Sequence, residues 1–360
     1  MSKDNCTVGI ICPANRKYAP YVENYINVLE KIGAEYKILT WNKAGIEENV
    51  DFSFNFTVRD SDRKKMLLGY VKFIFECKKY LRKNRIDKLI ILTAAPAFFM
   101  GLRFLNKYRQ KYILDIRDDS PFIRKFSRKF KKICSLAKEV IVSSNNFSEW
   151  TGRDTVLCHN VNLHYVYDHL HEAAKKDFQM PIRLVFAGMM IEKDVNLLVV
   201  EKLANDQNFI LSYIGKPNRN KQEIEKFAED HAVNNITFQG TYQKEEIVGI
   251  YKENADIINI LRAKTTVNRN ALPNKMYDAV LSGVPLIVFD HNEAIAKYVQ
   301  EYSLGIVVSE NDINSLSKCI IEKLNSFDYD LYKEGRQAFL NQVILDMNIY
   351  DNTIREFVLA

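Results

Sequence analysis

RAKTTVNRNALPNKMYDAVLSGVPLIVFD, residues 262–290, sets out a loop that ends at Pro273, a helix from Asn274 that stops at Gly283, and a buried strand after Pro285. The first N–H groups of a helix lack intrahelical partners, so its N-terminus attracts anions. Lys275, on the first turn, adds a point charge suited to phosphate. Asp278 stands one turn further, where a carboxylate can accept hydrogen bonds from ribose hydroxyls, as acids do in dinucleotide folds. Alone, Lys275 and Asp278 would read as a solvated helix face. The loop before them, the glycine stop and the strand after them favour a ligand site.

The same alternation extends outward in both directions. Residues 182–188, 209–215, 235–238, 256–260, 285–289 and 305–308 read as six strands with helices between them. Before them, residues 7–13, 35–41, 87–93, 111–116 and 139–143 are short apolar runs. Residues 18–32 and 61–85 read as helices, and Pro96 is placed at a helix start. Short apolar strands between helices predict parallel sheets covered on both faces. The expected class is α/β, with two Rossmann-like domains facing across a cleft. Regularity lapses over 159–179, which places the connection there. The expected domains are 1–165 and 166–340, with 341–360 a terminal helix packing back on the first domain. Residues 329–360 read as two helices.

The 360 residues are 47% hydrophobic and 27% charged, a globular composition long enough for two cores. No apolar run reaches the ~18 residues a membrane span needs. The first residues, MSKDNCTVGIICP, lack a basic leader, a long apolar core and a cleavage site, so a cytoplasmic protein is expected. Six cysteines without paired spacing read as free thiols. His159, His164, His169 and His171 match no metal-site spacing, and no metal or cofactor is expected. Residues 1–165 hold 30 basic and 17 acidic residues, whereas 166–360 hold 21 and 28, so the first half is the one expected to face an anionic surface. No nucleic-acid-binding motif accompanies that charge.

The segment 262–290 resembles the donor-binding motif of retaining GT-B glycosyltransferases of family 4, in the PNK form seen among bacterial surface-polysaccharide transferases. In that family two acids stand eight positions apart. Asp278 matches the second acid, Gly283-Val284-Pro285 matches the ending, and Asn270 stands at the first acid's place. IRLVFAGMMIEK (182–193) resembles the strand, loop and Lys that meet the donor diphosphate. Lys193 matches the Lys, and Met189 replaces the usual Arg. Ile214-Gly215 resembles the next glycine turn, and residues 235–251 the strand and loop beside the base. LDIRDDSP (114–121) resembles the D-x-R-D-x-x-P loop, and CHNVN (158–162) the interdomain turn.

The resemblance implies sugar transfer from a nucleotide-sugar to a lipid-linked or saccharide acceptor, with retention and without metal. It places Lys193, Lys275, Arg117 and Asp118 at the chemistry. Gly188, Gly215, Thr241, Tyr242, Asn270, Ala271, Leu272, Pro273, Asn274 and Asp278 fall around the donor, and Asn15 and Arg16 on the acceptor side. A nucleotide-sugar epimerase on the same fold and a degenerate sugar-nucleotide-binding protein are the alternatives.

Residues 121–133 carry Arg124, Lys125, Arg128, Lys129, Lys131 and Lys132, with Phe122, Phe126, Phe130 and Ile133 as one helical stripe. This helix, with the basic helix at 61–85, is expected to dock the chain peripherally on the anionic inner face of the cell membrane, through Arg124, Lys125, Arg128 and Lys129 above all. The bland alternative buries the phenylalanines and leaves the charges solvated.

Overall fold

A computed structural model describes residues 6–58 and 62–360. Ser61, the expected start of the second helix, lies outside the described residues. The chain divides into two compact units: residues up to 162 together with 345–360, and residues 163–344. The division falls three residues before the expected boundary, because the helix Leu163–His169 packs with the second unit.

The first unit holds strands β1 (Thr7–Cys12), β2 (Glu35–Asn42), β3 (Phe52–Asn55), β4 (Lys88–Leu92), β5 (Tyr112–Ile116), β6 (Glu139–Val142) and β7 (Val156–Leu157). They form one parallel sheet in the order β3-β2-β1-β4-β5-β6-β7. The strands β1 and β5 are buried along their whole length, which is why they read as mostly apolar runs, with Asp115 the one charged residue among them. β3 and β7 escape a sequence reading because they are short and lie at the two edges, where partial exposure blurs the pattern.

The second unit holds β8 (Ile182–Ala187), β9 (Phe209–Ile214), β10 (Ile236–Gln239), β11 (Ile257–Asn259), β12 (Leu286–Phe289) and β13 (Gly305–Val308), in the parallel order β10-β9-β8-β11-β12-β13. Val199, Val200, Leu203, Ile224, Leu316 and Ile320, from helices on the sheet, are buried against Leu184, Leu211, Ile257 and Ile287. In each sheet the strand order reverses beside the unit's first strand. The loops leaving β8 and β11 therefore flank the switch point, where open α/β sheets bind ligands.

Three expectations about helices are corrected. Residues 329–360 hold one helix, Tyr329–Leu359, not two. Its only glycine, Gly335, is not a break: a Cβ there would lie 1.8 Å from the carbonyl oxygen of Tyr302, so close packing explains it. Arg336 in this helix donates to the carbonyls of Val280 and Leu281 in the second unit, and Tyr350 meets the Tyr25 ring at 5.3 Å in the first. Residues 121–136 form two helices, Pro121–Lys125 and Ser127–Leu136, broken at Phe126, whose φ −127° and ψ 43° are not helical. The phenylalanine stripe is therefore discontinuous. Finally, the helix after β4 starts at Ala94, so Pro96 is its third residue, still within the turn whose N–H groups are unpaired.

Candidate functional site in the second unit

β8 is followed by Gly188, whose φ of 127° is rarely open to L side chains. A Cβ at Gly188 would lie 2.9 Å from Cε of Lys275, and one at Gly215 would lie 2.2 Å from the Gly188 carbonyl oxygen. Both glycines answer to close approach, and Gly188 clears the space Lys275 occupies. The Lys275 ammonium rests 3.8 Å from the centroid of the Phe186 ring. Its pKa falls from 10.5 to about 8, through burial first and then the Arg262 charge, with Glu192 and Asp278 opposing.

Glu192, in the loop after β8, organises the loop after β11. Its carboxylate accepts from the Ala263 N–H and from Asn268 Nδ2 at 3.0 Å, and pairs with Arg262 Nε at 3.2 Å. Lys275 and Arg262 thus gather at the switch point with Glu192, while Asp278, the other carboxylate acting on Lys275, is taken up by Lys244. That balance leaves a net positive charge for an anion, beside the N-terminus of the helix Asn274–Ser282, which Pro273 precedes with no side-chain cap. Arg262 and Glu192 are functional candidates that the sequence reading passed over. Arg262 closely follows the apolar run of β11, and that position at a strand's carboxyl end was the available signal.

Asp278 is buried and ion-paired with Lys244. Burial raises its pKa, and Lys244 pulls it back. Burial and then the Asp278 charge push the Tyr242 hydroxyl up to about 12. Thr241 and Tyr242 line a 430 Å³ pocket with Gly240, Glu246 and Gly249. A ribose that reached Asp278 would have to share it with Lys244, which no local spacing reveals. Leu272 is buried, Ala271 and Pro273 are half-buried, and Asn274 is exposed at the helix start. The Asn270 amide donates to the Thr266 carbonyl at 3.0 Å. Lys193 opens the helix Lys193–Leu203 and pairs with Glu223 at 2.7 Å, so a diphosphate would have to draw it from that partner.

The first unit changes the reading of Arg117. Its guanidinium is 4% exposed and donates to Asp115 at 2.8 Å, to the Cys158 carbonyl at 3.0 Å and to Asn160 at 2.9 Å. Burial opposes its charge, but Asp115 overrides that and holds its pKa well above the ordinary value. Its terminal nitrogens are thus engaged within the first unit, and the catalytic role expected of Arg117 would have to draw on a guanidinium already tied to Asp115. Asp118, next to it, is exposed. Asn15 is buried, donating to Asn42 at 2.8 Å and Glu48 at 3.1 Å and accepting from the Ala44 N–H, so it pins the loop after β2. Arg16 pairs with Glu23 at 2.7 Å. Asn15 and Arg16, expected on the acceptor side, are therefore both engaged with partners in the first unit. His159 pairs with Asp346 at 3.0 Å. Among the described residues no group of three or more His, Cys, Asp or Glu is placed to hold a metal.

Residues 181–326 match the family described as Glycosyl transferases group 1. Among curated proteins none matches the sequence. Many solved structures share the fold, among them the following three. Sucrose-phosphate synthase from Thermosynechococcus elongatus aligns at 15% identity and TM-score 0.65, covering 99% of this chain and 100% of that one. The lipopolysaccharide outer core galactosyltransferase WaaB, in its apo form, aligns at 11% and 0.61, covering 97% and 99%. The UDP-GlcNAc 2-epimerase of Methanocaldococcus jannaschii, in complex with UDP-GlcNAc and UDP, aligns at 13% and 0.58, covering 92% and 98%. The chain has the GT-B fold, with two Rossmann-like domains. The matched domain makes it a glycosyltransferase.

Proposed function

We propose that this glycosyltransferase takes its sugar from a nucleotide-sugar donor held by the second unit, and passes it with retention to a lipid-linked or saccharide acceptor of cell-surface polysaccharide. The carrying observation is the meeting of Lys275, Arg262 and an uncapped helix N-terminus at the switch point. The charge chemistry follows. As the bond from the anomeric carbon to the diphosphate oxygen breaks, its electron pair goes to the leaving diphosphate. Lys275, Arg262 and the helix N–H groups stabilise that charge, and Lys193 adds to it if released from Glu223. The acceptor oxygen bonds to the anomeric carbon, and its proton passes to the departing phosphate, so no strong protein base is required. Asp278 and the Thr241–Tyr242 pocket would hold ribose and base.

The match to a transferase domain favours transfer over epimerisation. The test is turnover with a panel of nucleotide-sugars and a lipid-linked acceptor. Conversion of the nucleotide-sugar into its epimer, without transfer to the acceptor, would point to the epimerase, and donor binding without any turnover would point to the degenerate reading.

Two predictions arise here. Arg262→Ala should weaken nucleoside diphosphate affinity by about 1.5–3 kcal/mol, while a nucleoside without phosphates is unaffected, as measured by titration calorimetry. An equal loss for both ligands would show that the loop had collapsed and that Arg262 makes no phosphate contact. Turnover should also persist in EDTA, because three protein cations can neutralise the leaving group. Loss of turnover that magnesium restores would contradict this. The reading also places the chain peripherally at the inner membrane face, reached through its basic first half. Among the described residues no helix is long and apolar enough to cross a membrane.

A further inference from the structure

We infer that the outer face of the helix Arg63–Lys83, the second of the two basic helices expected to dock, inserts into an anionic bilayer surface through an apolar ridge and is the main docking element. The inference rests on the peripheral placement proposed above and does not depend on the donor site.

The helix has two apolar faces. One is used: Phe73, Ile74, Cys77 and Leu81 are buried in the first unit, and Gly69 lies so close to Trp41 that a Cβ would come within 2.2 Å of the ring. The other is not. Leu67, Leu68, Val71 and Phe75 are 48%, 47%, 49% and 63% exposed. Their spacing of one, four and eight residues puts them on one side of the helix, away from the buried set. Four large apolar side chains in one ridge differ from the scattered exposed residues of an ordinary surface.

The charges around the ridge select its occupant. Lys64, Lys65, Lys72, Lys79, Arg82 and Lys83 are exposed along the same helix. Glu76 is its only acid, and it pairs with Lys79 at 3.6 Å. An apolar ridge fringed by lysines is the pattern of a helix lying in a headgroup layer, with side chains in the acyl boundary and ammonium groups on lipid phosphates. A second copy of the chain would set lysine fringe against lysine fringe, which costs energy.

The expected site fits less well. Phe130 and Ile133 are fully buried, Arg124 is paired with Asp119, and the Lys129 ammonium sits 3.7 Å from the Phe98 ring centroid. An aromatic run does join the two basic helices. Tyr70 stacks on Phe99 at 5.6 Å, Phe99 meets Phe122 at 5.1 Å, and Phe98 meets Phe126 at 5.2 Å. The half-exposed Phe126 at its end extends the surface, and Arg128 and Lys125 add charge at its margin.

The test is flotation of the full chain with vesicles of phosphatidylglycerol and phosphatidylcholine, and with phosphatidylcholine alone. Binding to the anionic vesicles is expected, and part of it should survive salt that screens charge alone. The L68S/V71S/F75S variant, changed only at exposed positions, should bind at least about tenfold less and keep the wild-type melting temperature. Its nucleoside diphosphate affinity without vesicles should equal the wild type's, which separates failure of docking from failure of the donor site. Unchanged flotation of the variant overturns the inference. So does concentration-dependent self-association of the wild type that the variant abolishes, since a second copy would then cover the ridge. If the melting temperature falls, the single variant Phe75→Lys decides by the same readout.

Discussion

Lys275→Met should raise the melting temperature while removing donor binding. The fold lowers the Lys275 pKa from 10.5 to about 8. A cation with a depressed folded-state pKa is disfavoured by folding, so it lowers stability fully below about pH 8. That penalty fades as pH rises from about 8 toward 10.5, and never appears for methionine. Near neutral pH the substitution should therefore stabilise by about 1–3 kcal/mol, a rise of a few degrees read by calorimetry or circular dichroism. The same change should lower kcat/KM by about 10²–10³-fold, because the charge on the leaving diphosphate loses its nearest cation. In the wild type, donor affinity should be flat below about pH 8 and weaken above it, as the free protein gives up the Lys275 proton. A variant that is both less stable and less active would mean that Lys275 is a packing residue.

Removing the Asp115 carboxylate should cause the largest loss of stability. Asp115 is fully buried and accepts from the Tyr25 hydroxyl at 2.6 Å as well as from Arg117. Asp115→Ala strands a buried guanidinium, which costs about 3–5 kcal/mol. Urea unfolding followed by circular dichroism should show a lowered midpoint, and Arg117→Ala should show a comparable but smaller fall. If Arg117→Ala instead melted like the wild type and lost only turnover, its expected catalytic role would stand.

Much of the fold is legible in the sequence because buried parallel strands are locally apolar, as in LIIL of β4 and LIVF of β12. Edge strands such as β7, two residues long, carry no such signal. The helix Asn274–Ser282 is legible because its boundaries are local: proline before it, and Gly283 at φ 71° after it. The contacts across the switch point are not local. Glu192 and Arg262 lie 70 positions apart and meet only because β8 and β11 are neighbours in the sheet. The burial of Arg117 has the same origin, since Cys158 and Asn160 reach it from beyond β7. Position at a strand's carboxyl edge predicts that a residue can serve a ligand. Whether its side chain turns to the ligand or to the core depends on long-range partners.

Titration calorimetry of UDP, GDP and ADP against the intact wild type and Lys275→Met bears most directly on the donor site. At least one nucleoside diphosphate should bind the wild type with a Kd on the order of 1–100 μM and lose at least about tenfold in affinity to the variant. No binding by the wild type, or equal binding by both proteins, would contradict a donor site built on Lys275.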